Sequence, residues 1–168
     1  MTSRKPLAFD PVAEARRHWA ESGWEDAAPG MALVTSVMRV QQVFLARVDE
    51  VLAPHGLTFA RYELLMLLTF SRRGMLPLGK ISERLQVHAA SVTNAVDRLE
   101  KQDLVHREPH PYDGRAVLAV LTPAGRKVAK LATDDVNAKV FTALGVTADE
   151  ADEIFGMLRG LRRSAGDF

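Results

Sequence analysis

"PHPYDGRAVLAVLTPAG", residues 109–125, decides how this chain is read. Two prolines, Pro109 and Pro111, lead into an Asp-Gly pair, Asp113 and Gly114. An apolar run follows, and Thr122-Pro123 has the form of a helix start. Asp-Gly between extended segments is a hairpin signal. "LVHRE", residues 104–108, reads as the strand before the turn, and the run ending at Leu121 as the strand after it. The prolines stiffen the ribbon by fixing φ. This reading places Arg115 at the tip of a two-stranded ribbon.

The segment upstream explains why the ribbon matters. Residues 79–86 fit a short helix with Ile81 and Leu85 inward, and "VHA", residues 87–89, makes a turn. The next helix carries Val92, Ala95, Val96 and Leu99 on one side and stops near Gln102. Helix, turn, helix and a two-stranded ribbon together spell a winged helix. With Val92 at the centre of the inner face, the outer face carries Ala90, Ser91, Thr93, Asn94, Asp97, Arg98 and Lys101. Its first half is small, hydrogen-bonding and almost uncharged. A solvated helix more often carries Glu and Lys there. Small residues allow close approach in a major groove, and Ser, Thr and Asn reach base edges or phosphates. The expected DNA-contacting residues are Ser91, Thr93, Asn94, Arg98, Lys101, Asp113 and Arg115. Arg115 suits the narrow, negative minor groove, with Asp113 holding its guanidinium through a bidentate pair. Taken alone, that pair is equally the spelling of a surface ion pair in an ordinary hairpin.

Composition sets outer bounds. The 168 residues suffice for one domain of ordinary size, and 47% of them are apolar, enough for a packed core. The absence of cysteine removes disulfides, thiolate zinc sites and cysteine nucleophiles, and suits a reducing cytoplasm. No apolar run approaches the ~20 residues of a membrane span. No apolar stretch follows Arg4 and Lys5, so no secretion signal is expected. Net charge is +1, unevenly placed: residues 61–130 hold twelve Lys/Arg and seven Asp/Glu. A basic middle between acidic ends fits a polyanion site, and fits a chance clustering of solvated charges as well.

Outside the winged segment the pattern is helical. Residues 1–9 read as a loose tail. Asp10-Pro11 caps a helix over residues 11–22, and "AAPG", residues 27–30, reads as a break. Val34, Val37, Val40, Phe44, Val48 and Leu52 follow at helical spacing until Pro54 and Gly56. Thr58 caps the next helix, with Phe59, Tyr62, Leu65 and Met66 on one face. A long helix starts at Thr122 and runs through Val128, Leu131, Val136 and Val140. Thr147 with Glu150 forms a capping box for the last helix.

The residues resemble a known family. "DGRAVLAVLTPAG" is similar to the Asp-x-Arg…Leu-Thr-x-x-Gly signature of the multiple-antibiotic-resistance regulator (MarR) family. "KISERLQVHAASVTNAVDRLEKQDLV", residues 80–105, resembles that family's helix-turn-helix. The resemblance covers roughly residues 32–163. It implies a homodimeric winged-helix repressor whose terminal helices interlock. Asp113, Arg115, Thr122 and Gly125 match the signature positions. Asp103 stands where the family usually has glycine, at a helix end where Asp tolerates the left-handed conformation. His88 stands where a Ser-type cap is usual. The added N-terminal helix, with "ARRHWAESGW" at residues 15–24, resembles the urate-responsive branch. That resemblance implies a small organic anion, such as urate or an aconitate-like acid, held by Arg16, Arg17 and Trp19, with Glu63 at the branch's acidic pocket position. Plain packing of the tryptophans explains the same residues equally well.

Two other patterns fail on chemistry. "GMLPLGKIS", residues 74–82, has P-loop spacing, but Ile81 replaces the hydroxyl that meets magnesium and no parallel strand precedes it. His106 and His110 lie four apart across a strand and a proline turn, with no convergent third ligand. No nucleophile elbow or Ser-His-Asp pattern supports an enzyme, and no cofactor or metal is expected. The expectation is a mainly α, winged helix-turn-helix protein: an N-terminal extension, 1–30; a helical dimerisation region, 31–57 and 122–168; and a DNA-binding lobe, 58–121. Its partners would be a second copy, a pseudo-palindromic double-stranded DNA and an organic-acid effector. The competing expectation is a dimeric protein-interaction module on the same scaffold that does not bind DNA.

Overall fold

The computed structural model describes residues 7–168, so most of the expected tail over residues 1–9 lies outside the described residues. The chain separates into two compact units, Met1–Arg47 and Val48–Phe168.

In the first unit, α1 (Pro11–Glu21) starts as its sequence dictates: the Asp10 carboxylate accepts the Val12 N–H at 2.8 Å. Trp19 packs on Trp24 with ring centroids 5.3 Å apart. The second helix, α2 (Ala28–Leu52), begins inside the "AAPG" stretch that was expected to break the chain. Pro29 lies in its first turn, where a backbone N–H has no intrahelical acceptor, so its missing donor costs nothing.

The second unit takes the end of α2 and a short 3-10 turn (Ala53–His55), closed by Gly56 at φ +70°. Next is α3 (Phe59–Phe70). Thr58 stands at its N-cap, but its hydroxyl does not cap it. The Asp49 carboxylate from α2 accepts the Phe59 N–H at 2.7 Å instead. β1 (Met75–Pro77), α4 (Leu78–Leu85) and α5 (Ala89–Glu100) follow, then β2 (Val105–His110) and β3 (Asp113–Leu121). The three strands form one antiparallel sheet in the order β1-β3-β2. α6 (Pro123–Val136) runs on as a π-helical turn (Asn137–Phe141), and α7 (Ala148–Ser164) starts on the expected Thr147–Glu150 capping box.

The fold is a mainly helical winged helix with one small sheet. Ile81, Val92, Val96, Leu99, Val105 and Ala119 are buried together with Leu64, Leu65 and Leu68 of α3. Ile81, the residue that spoils the P-loop spelling, is fully buried. Among the described residues, no helix is long and apolar enough to cross a membrane.

Candidate nucleic-acid interface

The elements that aim α5 are local. Gln86 takes a left-handed conformation, φ +53°, and turns the chain between α4 and α5. His88 does the work of the usual Ser-type cap: its Nδ1 accepts the Ala90 N–H at 3.2 Å. Val92, Val96 and Leu99 lock the inner face. Ser91, Thr93, Asn94, Arg98 and Lys101 are all exposed on the other side. The Thr93 hydroxyl donates to the Ala89 carbonyl at 3.1 Å, which fixes its rotamer.

Asp97 belongs to the outer face but is already engaged. Arg107 of β2 donates to Asp97 at 2.5 Å and forms a second ion pair with Glu100. Its backbone N–H also donates to Glu100, at 3.0 Å. Partial burial works against the Arg107 charge, but the two carboxylates outweigh it and raise its pKa above the ordinary value. This cluster bolts the wing to α5. Sequence reading missed Arg107 because its partners lie seven and ten positions away on another element.

The wing differs from expectation at its tip. The turn is made by Pro111 and Tyr112, and Asp113 and Gly114 belong to β3. The pairing shifts between Pro109, opposite Val117, and His110, opposite Asp113, so residues 114–116 bulge from the ladder. Pro109 and Pro111 have no N–H to give to a regular ladder, and the turn forms at Pro111 and Tyr112. Arg115 is therefore exposed on a bulge near the tip. Asp113 does not hold its guanidinium as expected. Its carboxylate accepts the Arg115 backbone N–H at 3.0 Å and fixes the bulge. Tyr112, at the turn, is 94% exposed.

The base of the wing explains the Leu-Thr-x-x-Gly spelling. The Thr122 hydroxyl accepts the Gly125 N–H at 2.9 Å and donates to the Asp103 carbonyl at 2.8 Å. A Cβ on Gly125 would lie 2.0 Å from the Leu104 carbonyl oxygen, so only glycine fits. Asp103 adopts φ +57°, the left-handed helix end that the sequence demanded of it.

The expected effector residues fall in both units. Arg16 and Arg17 line an open hollow of about 310 Å³ with Ala13, Ala20 and Pro29. Arg17 is committed to Glu21 at 2.6 Å. Glu63 lies on α3, where partial desolvation raises its carboxyl pKa above the ordinary value.

The MarR family model matches residues 57–117. Sco5413, a MarR family transcriptional regulator from Streptomyces coelicolor, is 54% identical and superposes with a TM-score of 0.77, over 83% of this chain and 97% of that one. The chain belongs to the MarR family. Another MarR family regulator from that organism, Sco3205, solved in complex with DNA, is 25% identical with a TM-score of 0.69, over 79% of this chain and 88% of that one. The HTH-type transcriptional regulator ML2140 of Mycobacterium leprae is 34% identical over 70 residues, 42% of this chain, and the match spans 49% of its length. The MarR family match covers α3, α4, α5, β2 and the start of β3, the part of the fold that holds the exposed α5 face and Arg115.

Proposed function

We infer that this MarR family protein is a dimeric, sequence-specific DNA-binding transcription regulator, acting as a repressor in the cytoplasm. The observation that carries the reading is the outer face of α5: Ser91, Thr93, Asn94, Arg98 and Lys101 exposed together beside a wing that exposes Arg115. α5 enters the major groove, and Asp113 shapes the bulge from which Arg115 enters the minor groove. The DNA-bound relative Sco3205 supports this placement.

The dimer reading rests on apolar surface. Val34, Val37, Met38, Val43 and Phe44 of α2 are each at least 40% exposed. Ile154, Phe155, Met157 and Leu161 of α7 are at least 46% exposed. Patches of this kind mark an interface. We assign residues 31–57 and 122–168 to dimerisation, 58–121 to DNA binding and 1–30 to an N-terminal extension. A small organic anion is the proposed releasing effector, at Arg16 and Trp19 of α1; Arg16 lines an open hollow there, with Arg17 and Glu25 also on its rim. Linkage requires that DNA weaken the effector as much as the effector weakens DNA.

The test is a gel shift with DNA from upstream of the protein's own gene, with and without urate or aconitate. A shifted band that either acid abolishes is expected. A band that no organic acid affects removes the effector and keeps the regulator. Absence of any band favours the protein-interaction module.

A further inference from the structure

An open groove of about 550 Å³ runs between the start of α3 and the outer face of α5, lined by Thr58, Arg61, Asn94, Asp97, Arg98 and Lys101 among others. Cations outnumber carboxylates in this lining: Arg61, Arg98 and Lys101 face one acid, Asp97, which shares Arg107 with Glu100. Arg61 was not among the residues that the sequence marked out.

Arg61 is oriented by a local hydrogen bond. Its Nε donates to the Thr58 hydroxyl at 3.2 Å. That hydroxyl is available because Asp49 has taken over the cap of α3. The bond orients the guanidinium and leaves its terminal amino groups for another partner. Much of the entropy cost of fixing a long side chain is then met before anything binds.

We propose that this groove is a track for the DNA sugar-phosphate backbone, with Arg61 as a phosphate-binding residue on a second helix. The proposal rests on the DNA-binding reading above and extends it. Three cations spread over two helices along an open channel match a row of phosphates. A small carboxylate would need an enclosed site. The guanidinium fork suits two oxygens of one phosphate. Because Arg61 stands on α3 and Asn94 and Arg98 on α5, a phosphate between them sets the depth at which α5 sits in the groove. Contacts of this kind fix register without reading sequence.

The experiment measures binding of the full-length chain to two labelled duplexes, one from upstream of its own gene and one of scrambled sequence, from about 50 to 200 mM salt. Each phosphate contact contributes about 0.9 to the slope of log affinity against log salt. Arg61→Gln is expected to reduce the slope by about that amount per bound protomer, and to weaken both duplexes about tenfold at the lowest salt. Arg61→Lys keeps the charge but loses the bond to Thr58, and should restore the slope with incomplete recovery of affinity. Lys130→Gln, on α6, removes a charge outside the groove and should leave the slope unchanged. Thermal melts identify any variant that fails to fold, and Arg61→Lys then carries the test. If wild type binds with a steep slope and Arg61→Gln has the same slope, the track is wrong and the DNA reading stands. Weakening confined to the upstream duplex makes Arg61 a base reader and also overturns the proposal. If wild type binds neither duplex, the DNA reading falls and the track with it.

Discussion

Gly125 is the residue where sequence and packing agree most sharply. Its Cα lies against the Leu104 carbonyl, and an added methyl would sit 2.0 Å from that oxygen. Backbone cannot swing aside as a flexible side chain does, so Gly125→Ala should destabilise the fold by about 2–3 kcal/mol in urea unfolding. Wild-type stability would show that the base of the wing is softer than described. Arg115→Ala should do the reverse. The residue is exposed and unpaired with any carboxylate among the described residues, so melting should be unchanged, while DNA affinity falls by roughly 1–3 kcal/mol. Equal affinity would remove the wing from the interface. Asp135 gives a pH signature. Lys139 first and His55 second hold its carboxyl below the ordinary 3.8. A carboxylate depressed in the fold adds stability above its ordinary value and loses it as pH falls through the depressed one. Asp135→Asn should therefore flatten the acid limb of the stability curve below about pH 4, with little change in its shape near neutrality. An acid limb identical to wild type would show that the clamp adds nothing. Asp103 was legible because it answers a local geometric demand, a left-handed helix end, whereas the sequence marked His88 only as a departure from a Ser-type cap, and its capping bond is seen in the fold. Thr58 was misread as a cap because its substitute, Asp49, comes from the preceding helix, and nothing in the local spelling announces that.

Elements were legible wherever their punctuation was local. The Asp10-Pro11 start of α1, the Thr147–Glu150 box of α7 and the apolar stripe of α5 all appear where periodicity and caps put them. α2 began early because a proline in a first turn is compatible with helix, which composition cannot distinguish from a proline that ends one. The hairpin turn moved two residues towards the N-terminus for a related reason. Asp-Gly is a strong turn signal, but Pro109 and Pro111 withdraw two ladder donors and the chain reverses at Pro111 and Tyr112. The link between wing and α5 was invisible, since Arg107 meets Asp97 and Glu100 only after folding. Arg107→Met keeps the apolar bulk, but strands two carboxylates beside each other and frees the wing. It should cost about 0.5–1.5 kcal/mol of stability, since both carboxylates are partly solvated, and weaken specific DNA more than scrambled DNA, because α5 loses its fixed bearing on the wing. Equal loss on both duplexes would mean that the cluster stabilises the lobe without aiming it.

Over the whole molecule, fold class and family were legible because the winged segment carries its own local punctuation. The exposed apolar stripes of α2 and α7 are the surface that the proposed dimer would cover. Light scattering at micromolar concentration should give the mass of two 18.5 kDa chains. A monomeric mass would leave those stripes unaccounted for. A flat anion that stacks on Trp19 should quench tryptophan emission, and Trp19→Phe should abolish that quenching. Persistence of the signal would assign it to Trp24, whose ring lies 5.3 Å away. The most direct measurement of the central claim is a footprint of the full-length protein on the DNA upstream of its own gene. Two protected major-groove segments about one helical turn apart are predicted, flanked by minor-groove protection that Arg115→Ala removes, and all of it is lost as salt rises. Uniform protection without two-fold spacing, or none at salt low enough for weak complexes to survive, would contradict the account.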